Sequence, residues 1–211
     1  MSRGATPGTP AFRTERQDRM SAVAIIAAIG MIVAAAVIQV SILTRLPVPG
    51  GTADLVLLVL IGIALARGPQ TGALAGFGAG LVVDLMPPAD HGVGHYAFVL
   101  CLAGYLLGML GRRVVVDTTV GIMALTAITA AGVFLGFAAI GALTGDPRVT
   151  WAGVVRLLPS VVLYTTALAP LVARPVLAFF RAQSHNEFGA VITARRAHRL
   201  KPLARRQEWW Q

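Results

Sequence analysis

The sequence predicts an all-α integral membrane protein, a bundle of six transmembrane helices with both termini in the cytoplasm. Hydrophobic residues make up 56% of the 211 residues and charged residues only 13%, about half the share typical of a soluble domain. Two runs, 20–44 and 118–145, contain no Asp, Glu, Lys or Arg at all. Each run exceeds the roughly 20 helical residues that cross a bilayer.

Charge gaps, glycines and prolines divide the chain into six predicted spans within a transmembrane domain at 21–181. The first span is expected to be retained, because its charge-free run is longer than the roughly 7–15 apolar residues of a cleaved signal peptide. Residues 1–20 are expected to form a disordered basic tail, and 182–211 a basic cytoplasmic tail. The predicted spans are 21–44, 53–66, 70–85, 95–111, 118–143 and 151–180.

The sequence Arg67-Gly68-Pro69 separates the second span from the third. Proline ends a helix, glycine permits a tight turn, and arginine is typical of the cytoplasmic side. The second span then has only some 14 residues, about 21 Å of helix. Short spans interrupted by Gly and Pro occur at transporter binding sites. A small-molecule transporter, or its substrate-binding membrane subunit, is therefore an alternative function.

The distribution of Lys and Arg predicts the orientation. With six spans and the N-terminus inside, 15 of the 18 basic residues fall on cytoplasmic segments and three fall outside. The net charge of +9 therefore belongs to groups that flank membrane helices and attract anionic lipid, and no nucleic-acid partner is expected. The predicted location is the inner (plasma) membrane, crossed several times.

Glycines recur every four residues along the third span, at Gly72, Gly76 and Gly80. This spacing places them on one face of a helix, where small residues let two helices approach closely in lipid. The same spacing recurs in the fourth and fifth spans, at Gly104, Gly108, Gly132 and Gly136. Two interpretations remain open: packing among the protein's own helices, or a docking face for a helix of another protein.

Two carboxylates lie at the predicted outer ends of spans, Asp54 before the second and Asp84 at the end of the third. A carboxylate deep in a bilayer costs about 2.5–3.5 kcal/mol. Either residue is a solvated acid at a helix end, or it faces the bundle interior and anchors a loop or a partner. Asp54 also suits the positive end of a helix dipole.

Recognisable catalytic or metal chemistry is missing from the sequence. Cys101 is the only cysteine, which rules out an intrachain disulfide and a cysteine-based zinc site. His91 and His95 are four residues apart, but the glycines between them make a helix doubtful, so no metal site is expected. No phosphate-binding loop, HExxH or GxSxG motif occurs. We expect no cofactor and no enzymatic activity, with a lipid-modifying enzyme as the least supported alternative.

Five segments follow one another between residues 54 and 111: DLVLLVL at 54–60, ALARG at 64–68, GALAGFGAGLVVDL at 72–85, GVG at 92–94 and GYLLG at 104–108. No single segment is specific, but their order is. In this order they resemble the MreD family of bacterial rod shape-determining membrane proteins.

The resemblance implies a non-enzymatic role in rod shape and lateral peptidoglycan synthesis. Implied partners are the single-pass membrane protein MreC, the actin-like MreB and the wall synthases. Gly76, Phe77, Gly80 and Asp84 match the family motif and would form the partner-holding surface of the third span. Asp54, Arg67 and Gly92 are the expected loop and anchor residues.

Overall fold

The fold was obtained as a computed structural model that describes residues 22–41, 51–86, 94–111, 118–145 and 150–207, with side chains described up to Gln183. These residues form six α-helices and, within those ranges, no strand, which confirms the all-α prediction. The helices are α1 (Ala22–Ser41), α2 (Leu55–Arg67), α3 (Pro69–Leu85), α4 (His95–Gly111), α5 (Thr119–Leu143) and α6 (Trp151–Gln207).

The turn between α2 and α3 follows from its Arg-Gly-Pro sequence. Gly68 has φ +90°, a conformation that side chains disfavour, and its amide donates to the Ala64 carbonyl at 2.9 Å. Pro69 is the first residue of α3. A backbone N–H at this position would have no hydrogen-bond partner within the helix, so proline costs no hydrogen bond there. The two helices therefore reverse direction within a single residue.

Helix α2 is the centre of the bundle. Every residue from Leu55 to Leu65 is buried, against α6 on one side and against α1, α3 and α4 on the others. Its Leu, Val and Ile side chains point in all directions, as expected of a helix that is surrounded by other helices. We name the two ends of the bundle after the residues that flank α2, the Asp54 end and the Arg67 end.

Within the described ranges, three helices are long and apolar enough to cross a membrane: α1, α5 and the Trp151–Gln183 part of α6. Helices α2 and α4 are apolar but shorter. Helix α4 has the predicted bounds, and those of α1, α2, α3 and α5 differ by up to three residues.

The membrane span predicted at 151–180 lies within helix α6, whose membrane-length apolar part is Trp151–Gln183. The helix continues to Gln207, through most of the segment predicted to be a basic tail. No Gly-Pro pair interrupts residues 181–201, and their many Ala and Arg residues favour helix. The predicted N-terminal tail at 1–20 lies outside the described residues.

Candidate functional site

The glycine stripe of α3 packs against α4 of the same chain. A Cβ added at Gly76 would lie 2.7 Å from the Leu100 carbonyl carbon and 3.1 Å from the Cys101 nitrogen. Gly72 faces Gly104 in the same way, and Gly80 faces the backbone of Ala97. The α4 helix therefore occupies this face, and its backbone approaches α3 more closely than any larger residue would allow.

Two further residues of the predicted site, Gly108 and Phe77, lie near the α3–α4 contact. Gly108 packs against the backbone of Gly68 and Pro69, which extends the α3–α4 contact to the Arg67 end. Phe77 points away from α4 and is 47% exposed. Of the α3 motif residues, Phe77 is thus on the outer surface, whereas Gly72, Gly76 and Gly80 are inside.

Asp84 is fully buried at the Asp54 end of the bundle. Its Oδ2 accepts hydrogen bonds from the Gly94 amide at 2.9 Å and the Ala97 amide at 3.1 Å. These amides belong to the start of α4, where an anion offsets the positive end of the helix dipole. Asp84 thus faces the interior and anchors the segment that leads into α4; it is not a solvated helix cap.

Asp54 holds the same turn of α4 from the opposite side. Its Oδ1 accepts a hydrogen bond from the Leu57 amide at 2.9 Å and caps α2, while its Oδ2 accepts one from the Tyr96 hydroxyl. The Asp54 amide donates to the Thr165 hydroxyl of α6 at 3.0 Å. One aspartate therefore connects α2, α4 and α6.

Gln39 of α1 completes this polar group. Its Oε1 accepts hydrogen bonds from the Leu55 and Val56 amides, at 2.8 and 3.1 Å, and so satisfies two of the free N–H groups at the start of α2. Sequence reasoning assigned no role to Gln39, Tyr96 or Thr165. For Gln39 a signal exists, because it is the single amide side chain in an otherwise apolar helix.

At the other end of the bundle, Arg67 binds α6. Its guanidinium carbon lies 5.7 Å from the centre of the Phe180 ring, and its Nη2 donates to the Gln183 Oε1 at 3.1 Å. A guanidinium over an aromatic ring is favourable, more so when water is largely excluded. Arg67 therefore fixes α2 to the part of α6 where the apolar segment ends.

An apolar groove of about 600 Å³ separates α4 from α5. Its one hydroxyl, that of Thr129, donates to the Leu125 carbonyl of its own helix. A Cβ added at Gly132 would meet nothing within 4 Å, so the groove is open at this glycine. The groove is lined by Phe98, Val99, Leu102, Ala103, Leu106, Leu107, Leu110, Leu125, Ile128, Thr129, Gly132, Val133, Gly136 and Ile140.

A family model described as rod shape-determining protein MreD matches residues 15–182, which is most of the chain and includes α1 to α5 and α6 as far as residue 182. The chain belongs to the MreD family. This confirms the resemblance seen at 54–111 and extends it through α5 and the apolar part of α6. No curated protein and no solved structure matches this MreD family member.

The remaining predicted residue, Gly92, lies outside the described residues, as do Asp90 and His91. Among the residues that the structure does describe, no three His, Cys, Asp or Glu side chains are grouped as a metal site would require. In this MreD family member, the described site therefore consists of three sets of helix–helix contacts and one groove. The contacts are those between the glycines of α3 and the α4 backbone, those of Asp54 and Asp84 with the start of α4, and that of Arg67 with α6. The groove is the open one between α4 and α5.

Proposed function

We propose that this chain is a non-enzymatic membrane scaffold that supports rod shape and lateral peptidoglycan synthesis by binding other proteins of the elongation machinery. The observation that carries the proposal is the family match over residues 15–182. The 15-to-3 distribution of basic residues supports six spans in the inner membrane with both termini in the cytoplasm. The partners are an MreC-type single-pass protein and, through the same machinery, MreB and wall synthases.

The α4–α5 groove is the proposed position of the MreC-type helix. In lipid, helices associate through close packing, which small residues permit. Gly72, Gly76 and Gly80 of α3 are already covered by α4, whereas Gly132 and Ala103 line an open apolar surface. A single-pass helix placed there would contact two helices at once and would close the gap between them.

A matched pair of substitutions tests this position. Gly132→Leu fills the groove, and Gly78→Leu adds the same side chain to an exposed face of α3; a Cβ meets nothing within 4 Å at either residue. Both variants should therefore fold. We expect an MreC-type partner to co-purify in mild detergent with wild type and Gly78→Leu, and to be lost with Gly132→Leu. Normal recovery with Gly132→Leu, at wild-type protein levels, would remove the groove from the proposal.

Two experiments test the scaffold and its topology. Depletion should abolish control of cell shape while nutrient uptake continues; normal shape with a new vitamin or ion requirement would favour the transporter alternative. A reporter placed after Gln211 should signal from the cytoplasm, and a periplasmic signal would refute the six-span arrangement.

A further inference from the structure

Helix α6 extends well beyond the two helices that pack most extensively against it, α2 and α5. The last residue of α2, Arg67, donates to Gln183, and Arg174 donates to Thr119, the first residue of α5. Neither neighbour therefore reaches past the level of Gln183 at this end of the bundle. Helix α6 continues to Gln207, which adds about 36 Å of helix.

This extension of α6, residues 184–207, is strongly basic. It contains a single acid, Glu187, and no Asp or Glu follows until Glu208. A basic helix that also carries apolar residues is typical of two ligands: a membrane surface, or an apolar groove on an acidic protein. The basic residues of the extension are Arg195, Arg196, Arg199, Lys201, Arg205 and Arg206.

The continuity of α6 favours a protein ligand. A helix that binds a membrane surface lies in the plane of the interface, whereas the extension continues the helix whose Trp151–Gln183 part is long enough to span the membrane. Arg195 lies about 18 Å along the helix from Gln183, and about 14 Å from the membrane even at a tilt of about 40°. The potential of anionic lipid falls off within a Debye length of about 8 Å. Arg195 and Arg199 precede Pro202, so a bend at this proline would leave their distance unchanged.

The helical register of the extension groups basic and apolar residues together. Positions three or four residues apart share one side of a helix, and one such stripe runs along the extension. We propose that this stripe binds an acidic amphipathic helix of a cytoplasmic protein, because apolar residues at this spacing pack against a second helix and facing charges select the partner. The proposal rests on the proposed cytoplasmic position of the Arg67 end, and the site is distinct from the α4–α5 groove. The stripe consists of Phe188, Ile192, Arg195, Arg199, Leu203 and Arg206.

The test uses the purified full-length chain in nanodiscs of neutral phosphatidylcholine. The probe is a synthetic helical peptide with leucine and glutamate at heptad spacing, and a second peptide has lysine in place of glutamate. We expect saturable binding of the glutamate peptide that weakens as salt rises, and no binding of the lysine peptide. The double variant Arg195→Glu/Arg199→Glu should weaken binding of the glutamate peptide at least about tenfold and should bind the lysine peptide instead.

A matched double variant separates the stripe from the overall charge. Lys201→Glu/Arg205→Glu changes the net charge equally and has the same four-residue spacing, but its positions lie on another side of the helix. It should keep most of the affinity for the glutamate peptide. Equal losses in the two double variants would overturn the proposal, because net charge alone would then explain the attraction. Absence of saturable binding to wild type would overturn it as well.

A depth measurement tests binding of the extension to lipid. A spin label at Arg199→Cys, in a Cys101→Ala background, should be accessible to a water-soluble nickel chelate in nanodiscs that contain phosphatidylglycerol. A label at the depth of the lipid headgroups would overturn the proposal in favour of a membrane ligand. In cells, Arg195→Glu/Arg199→Glu should impair control of shape at normal protein levels, whereas Lys201→Glu/Arg205→Glu should not. The peptide experiment contains no other protein of the elongation machinery, so its failure would leave the scaffold proposal untouched.

Discussion

Substituting Gly76 by alanine tests whether the contact between the α3 and α4 backbones holds the bundle together. The new methyl group would lie 2.7 Å from the Leu100 carbonyl carbon, where ordinary contact begins near 3.5 Å, so α3 must retreat by about 0.5–1 Å. The obstacle is backbone and cannot rotate away. A gap of that size forfeits about a quarter to a half of each dispersion contact along the interface. Overpacking of this kind costs about 1–3 kcal/mol.

The assay is thermal unfolding in detergent, followed with a thiol-reactive dye. Cys101, the only cysteine, is partly exposed on α4 beside Gly76 and reports separation of the two helices. We expect Gly76→Ala to lower the unfolding temperature by about 2–12 °C. The matched control, Gly78→Ala, adds a methyl group to open space and should unfold at or above the wild-type temperature. If both variants unfold like wild type, the close approach of α3 and α4 does not stabilise the protein.

Three further substitutions test the polar contacts at the two ends of the bundle. Asp84→Ala removes the acceptor of two α4 amides and should lower the free energy of unfolding by about 2–4 kcal/mol, whereas Asp84→Asn keeps one oxygen and should cost less; equal losses would contradict the capping role. Gln39→Ala leaves two α2 amides without their acceptor and should cost about 1–3 kcal/mol in the same unfolding assay; unchanged stability would show that water satisfies these amides equally well. Arg67→Lys loses the planar group over Phe180 and should cost about 0.5–2 kcal/mol; wild-type stability would show that the ring contact is dispensable.

Local rules explain why much of the fold was predictable. Helix limits follow from proline, glycine and charge, and these gave α4 its bounds and placed the α2–α3 turn at Gly68. The four-residue glycine spacing predicted a close helix approach. The predicted span at 151–180 says nothing of where helix α6 ends, because apolar length limits a membrane span but not a helix, and the chain beyond residue 180 still favours helix.

The site was less predictable, because its contacts join segments far apart in the chain. Asp54 and Tyr96 are 42 residues apart, and Asp54 and Thr165 are 111 apart. No local pattern indicates which helix the glycines of α3 face. The groove is open because α5 diverges from α4. The spacing of Gly132 and Gly136 in the sequence does not determine how far two helices diverge. The partner-binding role of Phe77 and the loop role of Gly92 stay predictions.

The central position of α2 also removes a constraint on its length. Its 13 residues span about 20 Å, less than the roughly 30 Å thickness of a hydrocarbon core. Hydrophobic mismatch deforms a bilayer where lipid touches the short segment, but α2 is enclosed by its neighbours and meets no acyl chains along Leu55–Leu65. The mismatch therefore carries no elastic penalty, and polar groups such as Gln39 and Asp54 can lie below the level of the headgroups, shielded by longer helices.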